Sequence, residues 1–233
     1  MKLIEDLLDG VRDCDCPIRR VCVGLHWTVV ESKYTGIAHT YKSGSKVELE
    51  FAGELIGKSA FELAERLRSP KPLEASLGVA ALNSLIDANG RRGNVLTDVI
   101  EMVPGKTVTV VGRFPVNDKI VQTAHKAYIL EMEPGPGELP PESCEDVIPA
   151  SDIVLITATA LINHTLPRLL ELAAKAKTIV LGPTTPMNDV LFDYGANIIA
   201  GVRIVDADTL INSVTQGVKK FKKLGGVEAI IRP

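Results

Sequence analysis

Positive charge is not in surplus: 26 Lys and Arg stand against 29 Asp and Glu, for a net charge of −3. Neutralising a phosphate backbone takes the opposite balance, so no nucleic-acid partner is expected. No apolar run approaches the ~20 residues that cross a bilayer. The opening residues MKLIEDLLDGVRD break their apolar positions with acids, unlike a cleavable signal core. The expectation is a cytoplasmic protein with no membrane partner. Cysteine is scarce, at Cys14, Cys16, Cys22 and Cys144, and without a secretory segment reduced thiols are the default. Cys14 and Cys16 form a C-x-C pair that suits a soft metal, but no second pair or nearby histidine completes a zinc set. G-x-S-x-G, H-E-x-x-H and P-loop motifs are all missing, which removes the commonest nucleophile, zinc-protease and nucleotide-phosphate signatures.

What is present is an ordinary globular composition: 233 residues, 45% hydrophobic, enough for one large domain or two small ones. Leu3, Ile4, Leu7, Leu8 and Val11 recur at helical spacing. Val21 to Val30, with an internal glycine, and Tyr34 to Tyr41 after a polar turn predict a hairpin or small meander. Ser43-Gly44 turns again, and Val47, Leu49 and Phe51 alternate with Glu48 and Glu50 as a strand. Helices are expected over Ser59 to Leu67 and Leu73 to Ile86; in the second, Ala75, Gly78, Ala80 and Ala81 permit close packing. Asn83 lies on or beside that helix's buried face, and needs either a backbone partner or a ligand. The polar, glycine-rich stretch Asn89 to Asn94 marks a boundary between residues 1–90 and 91–233.

The second half alternates strands and helices: a helical lead-in from Val95, strand Thr107 to Val111, a helix through Ile120, and strand Tyr128 to Met132. Strand Ile153 to Ile156, helix Leu166 to Ala174, strand Ile179 to Leu181 and the segment Ala196 to Gly201 follow. Such alternation predicts a doubly wound parallel sheet with right-handed crossovers. Ligands bind such sheets at the strands' carboxyl ends, and there the polar residues gather. Gly112 ends the first of these strands in VVGRFP, which lacks the G-x-G-x-x-G of dinucleotide sites. Glu131 and Glu133 end the second, either as acceptors for ribose hydroxyls or as exposed acids; Glu131 is preferred for function. Thr157, Thr159, Asn163, His164 and Thr165 follow the third, where Asn163 or Thr165 would also serve as a helix cap and His164 as a structural residue. After the fourth, Gly182-Pro183 breaks the chain, and Pro186 keeps Thr185 out of the helical region, holding Thr184 and Thr185 at the edge. His39 either faces this edge or simply alternates outward on its strand. Cys144 lacks a nearby positive charge to activate it.

Taken in order, GLHWT, GIAHTY, GVAALNSLI, VVGRFP, ITATALINHTL, LGPTTP and LFDYGANIIAGVRIVD resemble the putative heavy-metal-chelation family over nearly the whole chain. The resemblance implies a small α+β enolase-N-terminal-like domain followed by a Rossmann-like domain, with a ligand cleft between them and some likeness to Rossmann-like methyltransferases. It places Thr28, His39 and Asn83 on one wall, and Gly112, Phe114, Glu131, Thr157, Thr159, Asn163, Gly182, Thr184 and Thr185 on the other. Many hydroxyls and few ionisable groups fit a polar organic molecule, metallophore-, pterin- or nucleotide-like, with metal entering as its complex. Condensation or hydrolysis of such a metabolite is the enzymatic form of this reading. A noncatalytic metal carrier using Cys14, Cys16 and His39, and an S-adenosylmethionine-dependent methyltransferase, are the alternatives; a homo-oligomer is compatible with all three.

Overall fold

The computed structural model describes residues 2–41, 49 and 51–233. The N-terminal amphipathic pattern forms helix α1 (Lys2–Asp9), which buries Leu3, Ile4, Leu7 and Leu8. An antiparallel meander follows, of β1 (Arg20–Val23), β2 (Trp27–Glu31) and β3 (Thr35–His39), with Val21 opposite Val30 and Trp27 opposite His39. The expected strand over 47–51 lies mostly outside the described residues; Leu49 has no regular structure and Phe51 begins a turn.

Ser59 caps α2 (Ala60–Ala64) by accepting from the Glu62 N–H, and the chain tightens into a 3-10 turn before α3 (Pro72–Leu85). Helix α3 is buried nearly all round, as an apolar helix without a polar face must be. Its small residues permit this. A Cβ on Gly78 would lie 2.1 Å from the Leu67 nitrogen, and one on Gly36 of β3 would lie 2.1 Å from the Ala80 carbonyl oxygen.

The rest builds a seven-stranded sheet. Its strands are β4 (Arg91–Arg92), β5 (Thr107–Val111), β6 (Lys126–Leu130), β7 (Ile153–Thr157), β8 (Lys177–Leu181), β9 (Ile198–Ile204) and β10 (Val227–Arg232). Helices α4 (Val95–Met102), α5 (Asn117–Thr123), α6 (Cys144–Val147), α7 (Leu166–Leu172), α8 (Val190–Asp193) and α9 (Ala207–Thr215) connect them. The order is β4-β10-β9-β8-β7-β5-β6. From β6 through β9 all pairs are parallel, as the alternation predicts, but β10 is antiparallel to β9 and β4 to β10. The doubly wound parallel sheet is present from β6 to β9, and an antiparallel edge of β10 and β4 adds to it. Antiparallel β10 returns from α9 to close the β9 edge, and Arg91-Arg92, inside the expected boundary loop, pairs with it.

Period-two geometry explains the apolar strands without polar alternation. Ile153, Leu155, Ile179 and Leu181 face α4 and α5 in one core, while Val154, Ile156 and Val180 face the other way. That second core is continuous with α1, α2, α3 and Val30 and Ala38 of the meander, so the two halves share apolar packing. A third cluster joins Trp27, Val29 and Ile37 to Leu210 and Val214 of α9.

Candidate functional site

With β5 counted as the first parallel strand, the order is 2-1-3-4-5, and the chain's direction across the sheet reverses between β5 and β7. A crevice at the carboxyl ends is expected at this switch point. Gly112 leaves β5 there with φ 110°, a conformation that favours glycine. A Cβ on it would meet the Thr157 methyl at 3.0 Å. Thr157 caps the turn after β7, and its hydroxyl lies 3.0 Å from that of Thr159. On the other side, Asn117 accepts from the Phe114 N–H and donates to the Gly112 carbonyl, fixing the VVGRFP turn without a glycine-rich loop.

Glu131 directly follows β6 in a half-buried position, its side chain 18% exposed and 4.0 Å from the Arg113 guanidinium. Burial raises its pKa, and Arg113 opposes the rise. Arg113 is itself held by Glu138, at 2.9 and 2.5 Å, and donates to the Glu133 carbonyl at 2.8 Å. Glu133 otherwise matches the exposed acid of the alternative reading. The Arg113 bond and the Gly135 N–H hold the Glu138 carboxyl down at about 2. A depressed carboxyl contributes stability that is fully present above its ordinary value of 4.5 and lost as pH falls through about 2. Acidification from pH 5 to about 2 should therefore loosen the loop between Glu131 and Leu139, read as faster exchange of the Gly135 amide. Unchanged exchange there would contradict this pinning.

Aromatic residues cluster at the end of the meander. His39 makes edge-to-face contacts with Trp27 at 5.7 Å and with Tyr41 at 5.6 Å. The Tyr41 N–H donates to the Ser76 hydroxyl of α3, and burial, then the Glu131 charge, raises the pKa of its phenol. Tyr41 contacts His39 and Arg113 lies beside Glu131, although neither was among the expected site residues. Each left a trace in the sequence: Tyr41 lies two residues beyond His39, hence on the same strand face, and Arg113 directly follows the switch-point glycine.

The two sheets are tied beside these groups. The His39 N–H donates to the Thr184 hydroxyl at 3.0 Å. Asn83 donates to the Ile37 carbonyl at 3.0 Å and to the Thr184 carbonyl at 3.1 Å, so its amide clamps β3 to the turn after β8. Its Oδ1 is buried without a partner among the described residues, and Asn83 is among the residues lining a space of about 20 Å3, room for about one water. Gly182, at φ 123°, accepts from both the N–H and the hydroxyl of Thr185, which fixes the tight turn expected at Gly182-Pro183.

Other expected residues have different duties. Thr28 is fully buried with its hydroxyl 2.9 Å from that of Thr40, an internal bond. Asn163 accepts from the Thr165 N–H and hydroxyl in a local turn; Thr165 occupies the N-cap of α7 but makes no side-chain capping bond. His164, left-handed at φ 62°, bonds the Leu67 carbonyl at 2.7 Å through Nε2 and ties α7's start to the 3-10 turn. Cys14 and Cys16 are half-buried and pack against the main core. Among the described residues no three His, Cys, Asp or Glu side chains are grouped to hold a metal ion. Burial and Glu145 push the Cys144 thiol up, away from activation. A larger cavity, about 180 Å3 beside Ile18, Phe51 and Leu63, includes none of the expected site residues.

A family model described as putative heavy-metal chelation, DUF364, matches residues 95–230, and a second with that description, DUF4213, matches residues 4–86. An uncharacterised protein of Methanocaldococcus jannaschii is 30% identical over 166 residues, which cover 66% of this chain and 63% of that protein. The match thus spans less than two thirds of that relative's length. A crystal structure of a DUF364-family protein with unknown function from Desulfitobacterium hafniense superposes with a TM-score of 0.88 at 25% identity, over 99% of this chain and 98% of that one. Another from Pyrococcus horikoshii, at 18% identity and TM-score 0.80 over 99% of each chain, shares the fold. The chain belongs to the putative heavy-metal-chelation family.

Proposed function

We propose that the carboxyl ends of β5 to β8, faced by His39 and Tyr41, bind a small polar organic ligand of metallophore, pterin or nucleotide type. Residues 1–90 and 91–233 are the two units whose walls form this cleft, and metal is handled as a complex of the ligand. The observation that carries the reading is the meeting of Glu131 with Arg113 and of Gly112 with Thr157 at the sheet's switch point. Glu131 stands at the end of the second parallel strand, where a carboxylate accepts hydroxyl hydrogen bonds from a sugar-like ligand. The thiol pair Cys14 and Cys16 lacks further ligands among the described residues, which favours an organic partner over a protein-only metal cage.

Purified protein is incubated with a metabolite extract, washed, and the retained compounds identified by mass spectrometry. Enrichment of a polar compound is expected, with affinity falling about ten- to a hundredfold in Glu131→Gln, the range of a hydrogen bond to a charged group. No retained compound, or equal retention by Glu131→Gln and Tyr41→Phe, would count against the reading. S-adenosylmethionine, as a nucleotide-like compound, is tested separately by calorimetry.

A further inference from the structure

Four lysines, Lys219, Lys220, Lys222 and Lys223, crowd the segment between α9 and β10, and all four are exposed. None forms an ion pair with a described residue. The nearby acids of α9 are engaged elsewhere: Asp206 accepts from Thr209, and Asp208 pairs with Arg20. In a chain with three more acids than bases, this is a positive patch that no described acid pairs with. Next to it stands the turn between β1 and β2. Leu25 at its tip is 59% exposed and Val23 is 40% exposed. Leu25 Cδ1 lies 3.3 Å from where a Cβ on Gly217 would sit, and the Trp27 indole donates to the Lys219 carbonyl at 3.3 Å. Val218 and Phe221 pack beneath, against the Trp27 cluster. Turn and lysine segment therefore form one surface on a rigid base.

A single exposed leucine is ordinary on a soluble protein. Beside four lysines that form no ion pair among the described residues, it becomes an apolar tip bordered by ammonium groups. That combination matches a bilayer interface with anionic headgroups, where lysines gain attraction and an apolar side chain reaches the acyl boundary. Nucleic acid fits less well: the patch has no arginine fork, and its one aromatic ring packs inward. We propose that this surface docks the protein peripherally on an anionic membrane. The sequence expectation of no membrane partner rested on the lack of a spanning segment, and no described helix is long and apolar enough to span. Peripheral docking needs none.

Co-sedimentation of the full chain with vesicles tests it, using phosphatidylcholine alone and equal parts phosphatidylcholine and phosphatidylglycerol. Binding to the anionic vesicles alone is expected, weakening about fivefold for each lysine neutralised in Lys219→Gln and Lys222→Gln, and further as salt shortens the Debye length. Leu25→Ser, at an exposed position, should weaken binding while leaving the melting temperature unchanged. No sedimentation with anionic vesicles at low salt would overturn the proposal. So would retention on a heparin column or on RNA without vesicle binding, or vesicle binding that Leu25→Ser and the lysine variants leave unchanged.

Discussion

Gly36→Ala should lower the melting temperature by roughly 6–12 °C, the consequence of about 3 kcal/mol in a chain of this length. The added methyl has nowhere to go. It would lie 2.1 Å from the Ala80 carbonyl oxygen, 2.4 Å from the Ser84 nitrogen and 2.7 Å from the Asn83 carbonyl carbon. All three are backbone atoms, so no side chain can rotate aside, and β3 must part from α3. That separation would strain the main core and pull Ile37 from the Asn83 amide. Gly10→Ala is the control: its Cβ comes no closer than 3.3 Å to backbone, so a change within about 1 kcal/mol is expected there. Equal melting temperatures for Gly36→Ala and the unsubstituted protein, followed by circular dichroism, would show the strand–helix contact to be looser than described.

Asn83→Asp should be the more informative loss, because its size depends on pH. The amide now donates to two carbonyls, Ile37 and Thr184. An ionised carboxylate at that place offers no donor and sets a negative charge against two oxygen dipoles. A cost of about 3 kcal/mol or more is expected at pH 7, from two lost hydrogen bonds and a charge buried without a partner. The charged form is the disfavoured one, so the folded pKa rises above the ordinary aspartate value of about 3.9. Stability is then highest below the unfolded value, where a protonated carboxyl can donate one of the two bonds, and falls as pH rises through the folded value. Asn83→Leu, which cannot titrate, should lose a pH-independent amount. Denaturant midpoints at several pH values separate the two; parallel curves would rule out the clamp's polarity as the cause. Amide exchange of His39, whose N–H donates to Thr184, gives a second, local readout.

These residues mark where reading the chain without its fold stopped. The apolar strands Thr107–Val111, Ile153–Thr157 and Lys177–Leu181 were legible because burial on both faces leaves no polar alternation. Gly112 and Gly182 were legible as breaks, and both have left-handed φ values. Glu131 was legible by its place after a strand. Helix α9 and strand β10 went unread, and with them the antiparallel edge. Val227–Arg232 carries two charges among its apolar residues, and only its pairing with β9 makes it a strand of this sheet.

The sequence by itself determined that strands alternate with helices, that their carboxyl ends carry hydroxyls and one well-placed carboxylate, and that α3 must pack closely. Each follows from local chemistry: side-chain period, glycine's missing Cβ, proline's fixed torsion. Only the tertiary structure decided which polar groups face one another. Asn83 meets Thr184 and His164 meets Leu67 across separations of 101 and 97 residues. Such pairings carry no local signature, because a hydrogen-bonding group is satisfied by any partner that the packing of the apolar faces brings within reach.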